Sequence, residues 1–146
     1  MRRDFALVER MAAAQQALGQ GGAAVGLVAD YLTQNPRSAP ASALLGRMLA
    51  RRSDWRRAAL LLDHARVLGA GDARLLADLA EAQLAAGDAE AAAVTARRAH
   101  ALQRANGRVA ATLARAVEAS GGSERAARAL LAKAERLAQP AALARR

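Results

Sequence analysis

Cysteine is absent from the 146 residues, and with it go disulfides, thiolate chemistry and cysteine-ligated zinc. The aromatics are one Phe, one Tyr and one Trp, and there are three prolines. Strands favour aromatic and β-branched side chains, so a β-sandwich would lack its material. The same scarcity removes the stacking platforms that single-stranded nucleic acid prefers, which makes nucleic acid an unfavoured partner. Nowhere does an uncharged apolar run approach the roughly 20 residues of a membrane span. The two arginines near the amino terminus are followed by residues 5–14, a stretch broken by Glu9 and Arg10, so no signal-peptide core follows them. The chain as given is therefore expected to be soluble and cytoplasmic; as a piece of a longer envelope-associated array its compartment would be open.

Alanine, leucine and arginine fill the space left. Hydrophobic residues make up 53% of the chain, and with so few rings among them alanine and leucine must supply the packing, which favours closely apposed helices. The length suits one cooperative domain, residues 1–146. A formal charge of +9, from 22 basic and 13 acidic residues, suits anionic partners: nucleic acid, anionic lipid or acidic protein. Every base but Lys133 is arginine, which reads first as genomic base composition and second as selection for such a partner.

Self-similarity is the strongest signal. At a spacing of 34, small residues recur at Ala24, Ala58, Ala92 and Ala126, and apolar ones at Met11, Leu45, Leu79 and Leu113, each followed by a small residue: Ala12, Gly46, Ala80, Ala114. A turn residue recurs at Gly19, Ser53, Gly87 and Gly121. The repeats are about 5–38, 39–72, 73–106 and 107–140. Each reads as two helices. In the third, Leu75, Leu76, Leu79, Ala80, Gln83 and Leu84 keep helical spacing, Gly87-Asp88 interrupts it as a C-terminal glycine and an N-cap would, and Ala92, Ala96, Ala99 and Leu102 resume it. Asp54 holds the N-cap position of the second repeat, and Pro36, Ala70-Gly71, Asn106-Gly107 and Gln139-Pro140 mark the joins. The doublet Gly121-Gly122 adds one residue to the last repeat, so Ala127, Leu131, Ala134 and Leu137 fit only when shifted by one. Such hairpins cannot bury both faces alone and must stack, with Gly or Ala where backbones come closest. The expected fold is an all-α, right-handed α-solenoid of about four helix-turn-helix repeats.

These residues resemble the tetratricopeptide repeat (TPR) family, in its bacterial, alanine- and arginine-rich style, over nearly the whole chain. The second repeat carries the likeness best, in Ser42, Leu45, Gly46, Leu49, Asp54-Trp55, Ala58, Leu62 and Ala65, with Pro36 as the closing proline of the first. The large first position holds Val8, Ser42, Leu76 and Ala110, and most aromatic positions hold Leu, Ala or Gln. The resemblance implies that the first helix of each pair lines a concave groove binding a peptide or helix of a partner protein. Its lining positions are Glu9, Arg10, Ala13 and Gln16; then Ala43, Leu44, Arg47 and Arg51. Arg74, Ala77, Asp78, Glu81 and Leu84 follow, then Arg108, Ala111, Thr112, Arg115 and Glu118. Six arginines against four acids leave these positions mildly basic. From them, Arg10, Leu44, Arg47, Arg51, Arg74, Asp78, Glu81, Leu84, Arg108 and Arg115 are the candidate partner-binding residues. Chaperone-tail binders of the family need Lys and Asn at the equivalents of Glu9, Ala13 and Leu44, so that activity is rejected, although Arg74 is compatible with it.

No catalytic, metal or cofactor constellation stands out, and no enzymatic activity is expected. His64 and His100 sit in the second helices of different repeats without the short partner spacing of a zinc site. Asp63 beside His64 points elsewhere on a helix. Trp55, Tyr31 and Phe5 read as packing residues. The run Arg47, Arg51, Arg52, Arg56 and Arg57 is relieved only by Asp54, and Arg56 and Arg57 oppose the dipole of the helix they begin. Residues 141–146 start like another first helix, which raises the expectation of a longer array or of self-association through uncapped terminal repeats. The leading function is a protein-interaction scaffold; the alternative is a basic adaptor for nucleic acid or anionic surfaces.

Overall fold

The computed structural model describes residues 4–139. Pro140, the stretch 141–146 and the two amino-terminal arginines lie outside them. The described residues form eight α-helices and no strand: α1 (Phe5–Ala17), α2 (Gly21–Gln34), α3 (Ala39–Arg51), α4 (Trp55–Val67), α5 (Ala73–Ala85), α6 (Ala89–Leu102), α7 (Gly107–Ala119) and α8 (Glu124–Ala138). Contacts divide them into two compact units that part between Gly71 and Asp72. In the first unit α1 packs on α2, α2 on α3 and α3 on α4; in the second α5 packs on α6, α6 on α7 and α7 on α8, while α5 also touches α7.

Local chemistry sets the helix ends. Ser38, Asp72, Asp88, Asn106 and Ser123 each accept a hydrogen bond from the backbone N–H three residues on, satisfying a donor that the helix leaves orphaned. Asp54 stands at the N-cap of α4, but its carboxylate makes no cap bond and instead pairs with Arg57 at 3.4 Å.

The turn column is a row of left-handed residues: φ is +75° at Gly19, +61° at Ser53, +92° at Gly87 and +77° at Gly121. The following amide reaches back five residues in every case, Gln20 to Gln15, Asp54 to Leu49, Asp88 to Gln83 and Gly122 to Val117, which closes a Schellman motif. Three times that residue also begins the next helix. In the last repeat Gly122 closes the turn and Ser123 caps α8, so the inserted residue separates two roles held elsewhere by one. Gly87→Ala is expected to cost about 1–2 kcal/mol, the penalty of a Cβ in the left-handed region. Ser53→Gly is expected to gain about 0.5 kcal/mol, because relief of that penalty is partly offset by the greater backbone entropy of glycine. Urea midpoints at unchanged slope would measure both.

The small column lies where helices meet. Ala24, Ala58 and Ala92 are wholly buried, whereas Ala126 is exposed and Ala127 takes its place. That one-residue slip follows from Gly122. Of the apolar column, Leu45, Leu79 and Leu113 are buried and Met11 is not. Between α3 and α4 the approach is so close that a Cβ on Gly46 would stand 2.7 Å from Leu62 Cγ and 3.2 Å from the Ala58 carbonyl oxygen. Ser42, fully buried on the same helix, donates from its hydroxyl to the Leu61 carbonyl at 2.7 Å. A small hydroxyl residue thus joins two helices where a larger side chain would part them.

Candidate interaction faces of the first helices

In the second unit, α5 and α7 bring Asp78, Glu81, Arg108, Thr112 and Arg115 into one network. The Arg108 guanidinium forks onto Glu81, Nε to Oε1 and NH2 to Oε2, both at 2.7 Å, and NH2 also reaches Asp78 Oδ1 at 3.2 Å. Thr112 Oγ1 donates to the Arg108 carbonyl at 3.0 Å and accepts from Arg115 NH2 at 3.4 Å. The hydrogen bonds to Glu81 above all, with the charges of Glu81 and Asp78, raise the Arg108 pKa further above its ordinary value against the opposing effect of burial. Arg108 remains 56% exposed at its side chain, so solvent screens the pair and its contribution to stability is small. Its consequence is geometric: two cations and two carboxylates stand in fixed positions on one face, with little net charge between them.

Leu84, from the same face, is half-buried against Ala92, Ala93 and Ala116, so most of its apolar surface serves the interior of the unit. Arg74 is exposed at the start of α5. In the first unit Arg51 NH1 donates to Gln16 Oε1 of α1 at 3.3 Å. Leu44 and Arg47 are half-buried and Arg10 is exposed. The structure therefore gathers four candidates of the second unit, Asp78, Glu81, Arg108 and Arg115, around Thr112. Of the arginine run, Arg51, Arg52, Arg56 and Arg57 are exposed around the α3–α4 turn.

The histidines lie on second helices. His64 Nε2 is 3.0 Å from the Pro36 carbonyl oxygen. His100 receives a hydrogen bond from Lys133 of α8 at 3.3 Å on Nε2, while its Nδ1 is buried without a partner. Burial first, then the charges of Lys133 and Arg104, lower the His100 pKa. The unfolded chain therefore binds a proton that the folded chain resists. Stability is expected to fall as pH drops through about 6.5 and to level off below the folded-state pKa. His100→Gln, which cannot protonate, should flatten the acid limb of a thermal-melt profile measured against pH. Among the described residues no group of three His, Cys, Asp or Glu side chains is assembled that would hold a metal, and no helix is long and apolar enough to cross a membrane.

Paired helices, Schellman turns and small residues at the crossings define a TPR-like helical-repeat fold. Solved structures of MamA share it. The chain aligns with MamA AMB-1 at a TM-score of 0.85 and 20% identity, over 94% of its own length and 81% of that chain. With MamA MSR-1 the values are 0.83 and 19%, over 94% and 79%. With MamA 41-end from Desulfovibrio magneticus RS-1 they are 0.82 and 17%, over 96% and 78%. At such identities the likeness is one of fold. No family model matches the sequence, and no curated protein sequence matches it.

Proposed function

We propose that the chain is a protein-interaction scaffold that holds an extended or helical segment of a partner against the faces of its first helices. The observation that supports this reading most is the network of Arg108, Glu81, Asp78, Thr112 and Arg115. It is a set of donors and acceptors held in place before any ligand arrives, so binding to it loses little side-chain entropy. Arg10, Leu44, Arg47 and Arg51 on the first unit, and Arg74 and Leu84 on the second, complete the proposed contact residues. The partner is a protein or peptide with polar groups that match the fixed arginines and carboxylates of the second unit, joined to apolar side chains that can lie along a leucine of the first helices, Leu44 in one unit or Leu84 in the other.

The test compares capture of partners from the native host by the intact chain, by the triple variant Arg47→Ala, Arg74→Ala and Arg115→Ala, and by a control, Arg97→Ala with Arg98→Ala, on the exposed side of α6. The triple variant should lose at least about tenfold of the captured partner, as the removal of central contacts does, with its helical circular dichroism intact. Capture that survives the triple variant would overturn the assignment, and so would an equal loss with the control.

The exposed cluster Arg51, Arg52, Arg56 and Arg57 favours a second reading, a basic adaptor for nucleic acid or anionic surfaces. It requires binding to duplex or anionic vesicles that falls steeply with salt; no binding at low ionic strength eliminates it.

A further inference from the structure

The seat of α7 shows how this fold accepts a first helix. Val109 packs against Leu76 and Ala77 of α5 and Ala99 of α6. Leu113 packs against Ala80 and Ala96. Both are buried, at 1% and 5% exposure. One repeat further on, a step of 34 along the first helix and 35 along the second because of Gly122, the same seat falls on Ala111 of α7 with Leu131 and Ala134 of α8. These residues, with Leu137, line an open cleft of about 510 Å³. Among the described residues no helix fills it, and Leu131 is 38% exposed.

Three repeats back, the positions of Val109 and Leu113 fall on Leu7 and Met11 of α1. These two are 42% and 38% exposed, although Val8 and Ala12 beside them are buried in their own unit. Among the described residues the chain thus carries both an open seat and, on α1, part-exposed counterparts of the two side chains that fill such a seat in the second unit.

We propose that the α7–α8 cleft binds α1 of a second copy of this chain, head to tail, with Leu7 against Ala111 and Ala134 and Met11 against Leu131. The occupant is identified by register: the repeat that seats α7 is the one that places Leu7 and Met11. Leu131 stands where the α5–α6 seat has Ala96, and Met11 is the unbranched side chain able to bend around it. The contact is heterologous: each copy offers one seat and one helix, so association rises with concentration. One helix against two is a small interface, which makes the association weak and reversible.

Sedimentation velocity over a concentration series tests this. The wild-type chain is expected to grow beyond a monomer between about 10 μM and about 1 mM, the range of a small interface. Leu7→Glu with Met11→Glu removes the helix face, and Leu131→Glu blocks the seat. Each should weaken association at least tenfold and keep its circular dichroism, since all three residues are exposed; serine at the same positions replaces glutamate if a variant does not fold. Mixing the two variants pairs an intact seat with an intact face, and a one-to-one dimer that grows no further is expected. A wild-type monomer throughout, as when residues 140–146 or another part of the same copy fill the cleft, overturns the proposal. So does a variant that associates like wild type, which marks a two-fold contact elsewhere, or a mixture of folded variants that stays monomeric.

Discussion

Leu113→Ala is expected to lower the unfolding free energy by about 3–4 kcal/mol, the middle of the range for deleting a buried leucine. Leu113 sits at the meeting of three helices, with Ala80 of α5, Ala96 of α6 and Ala127 of α8 around it and Val117 one turn along α7. The cost of such a deletion depends on how far the surroundings collapse into the cavity. The alanines have no rotamer with which to move in, so collapse is left to Val117, to half-buried Leu130 of α8, or to shifts of whole helices. A urea titration read by circular dichroism measures the loss. Leu131→Ala on α8 serves as the reference and should cost about 1–2 kcal/mol, since 38% of Leu131 stays in water and the space it leaves opens to solvent. A cost below about 1.5 kcal/mol for Leu113→Ala would show that the helices do close on the cavity.

Gly46→Ala is expected to cost about 2 kcal/mol and Leu62→Ala about 3 kcal/mol, the first by overpacking and the second by cavity formation. The added methyl of the first meets Leu62 Cγ at 2.7 Å and the Ala58 carbonyl oxygen at 3.2 Å. In the double variant the methyl enters space that Leu62 has vacated, so the sum overstates the loss. A coupling of at least about 1 kcal/mol is expected, as for residues in direct contact. The contact with the Ala58 oxygen remains, because it belongs to backbone, and therefore the double variant stays less stable than wild type. Additive losses in a double-mutant cycle would mean that α3 and α4 separate when the methyl is added.

Much of the fold could be read before any coordinates. All four residues of the turn column, Gly19, Ser53, Gly87 and Gly121, are left-handed, serine included, and Gly69 after α4 adds a fifth outside the column. The slip of one residue after Gly121-Gly122 coincides with burial of Ala127 in place of Ala126. The positions that resemble the large residue of the TPR pattern, Val8, Ser42, Leu76 and Ala110, are all buried although only two are large. The candidate faces were less legible. Arg108, Glu81 and Asp78 could be placed on lining positions, but that one guanidinium takes both carboxylates could not be foreseen. Leu84 fitted the lining pattern equally well and turns half of itself to Ala92, Ala93 and Ala116. Asp54 sat at an N-cap and gave its carboxylate to Arg57. Nothing in the pattern of charges separates these outcomes.

By itself the sequence determined the helix pairs, their 34-residue step, the turns and the single insertion. Each of these is decided within a few residues, because helical hydrogen bonds, caps and Schellman turns are satisfied locally. Only the tertiary structure decided which polar side chains meet, since the partners of Arg108 lie 27 and 30 residues away. It also decided which apolar faces remain open, leaving Leu7 and Met11 uncovered while Val109 and Leu113 are buried. Hydrogen bonds and apolar contacts hold only within fractions of an ångström, and those distances are set by how closely alanine and glycine let neighbouring helices approach.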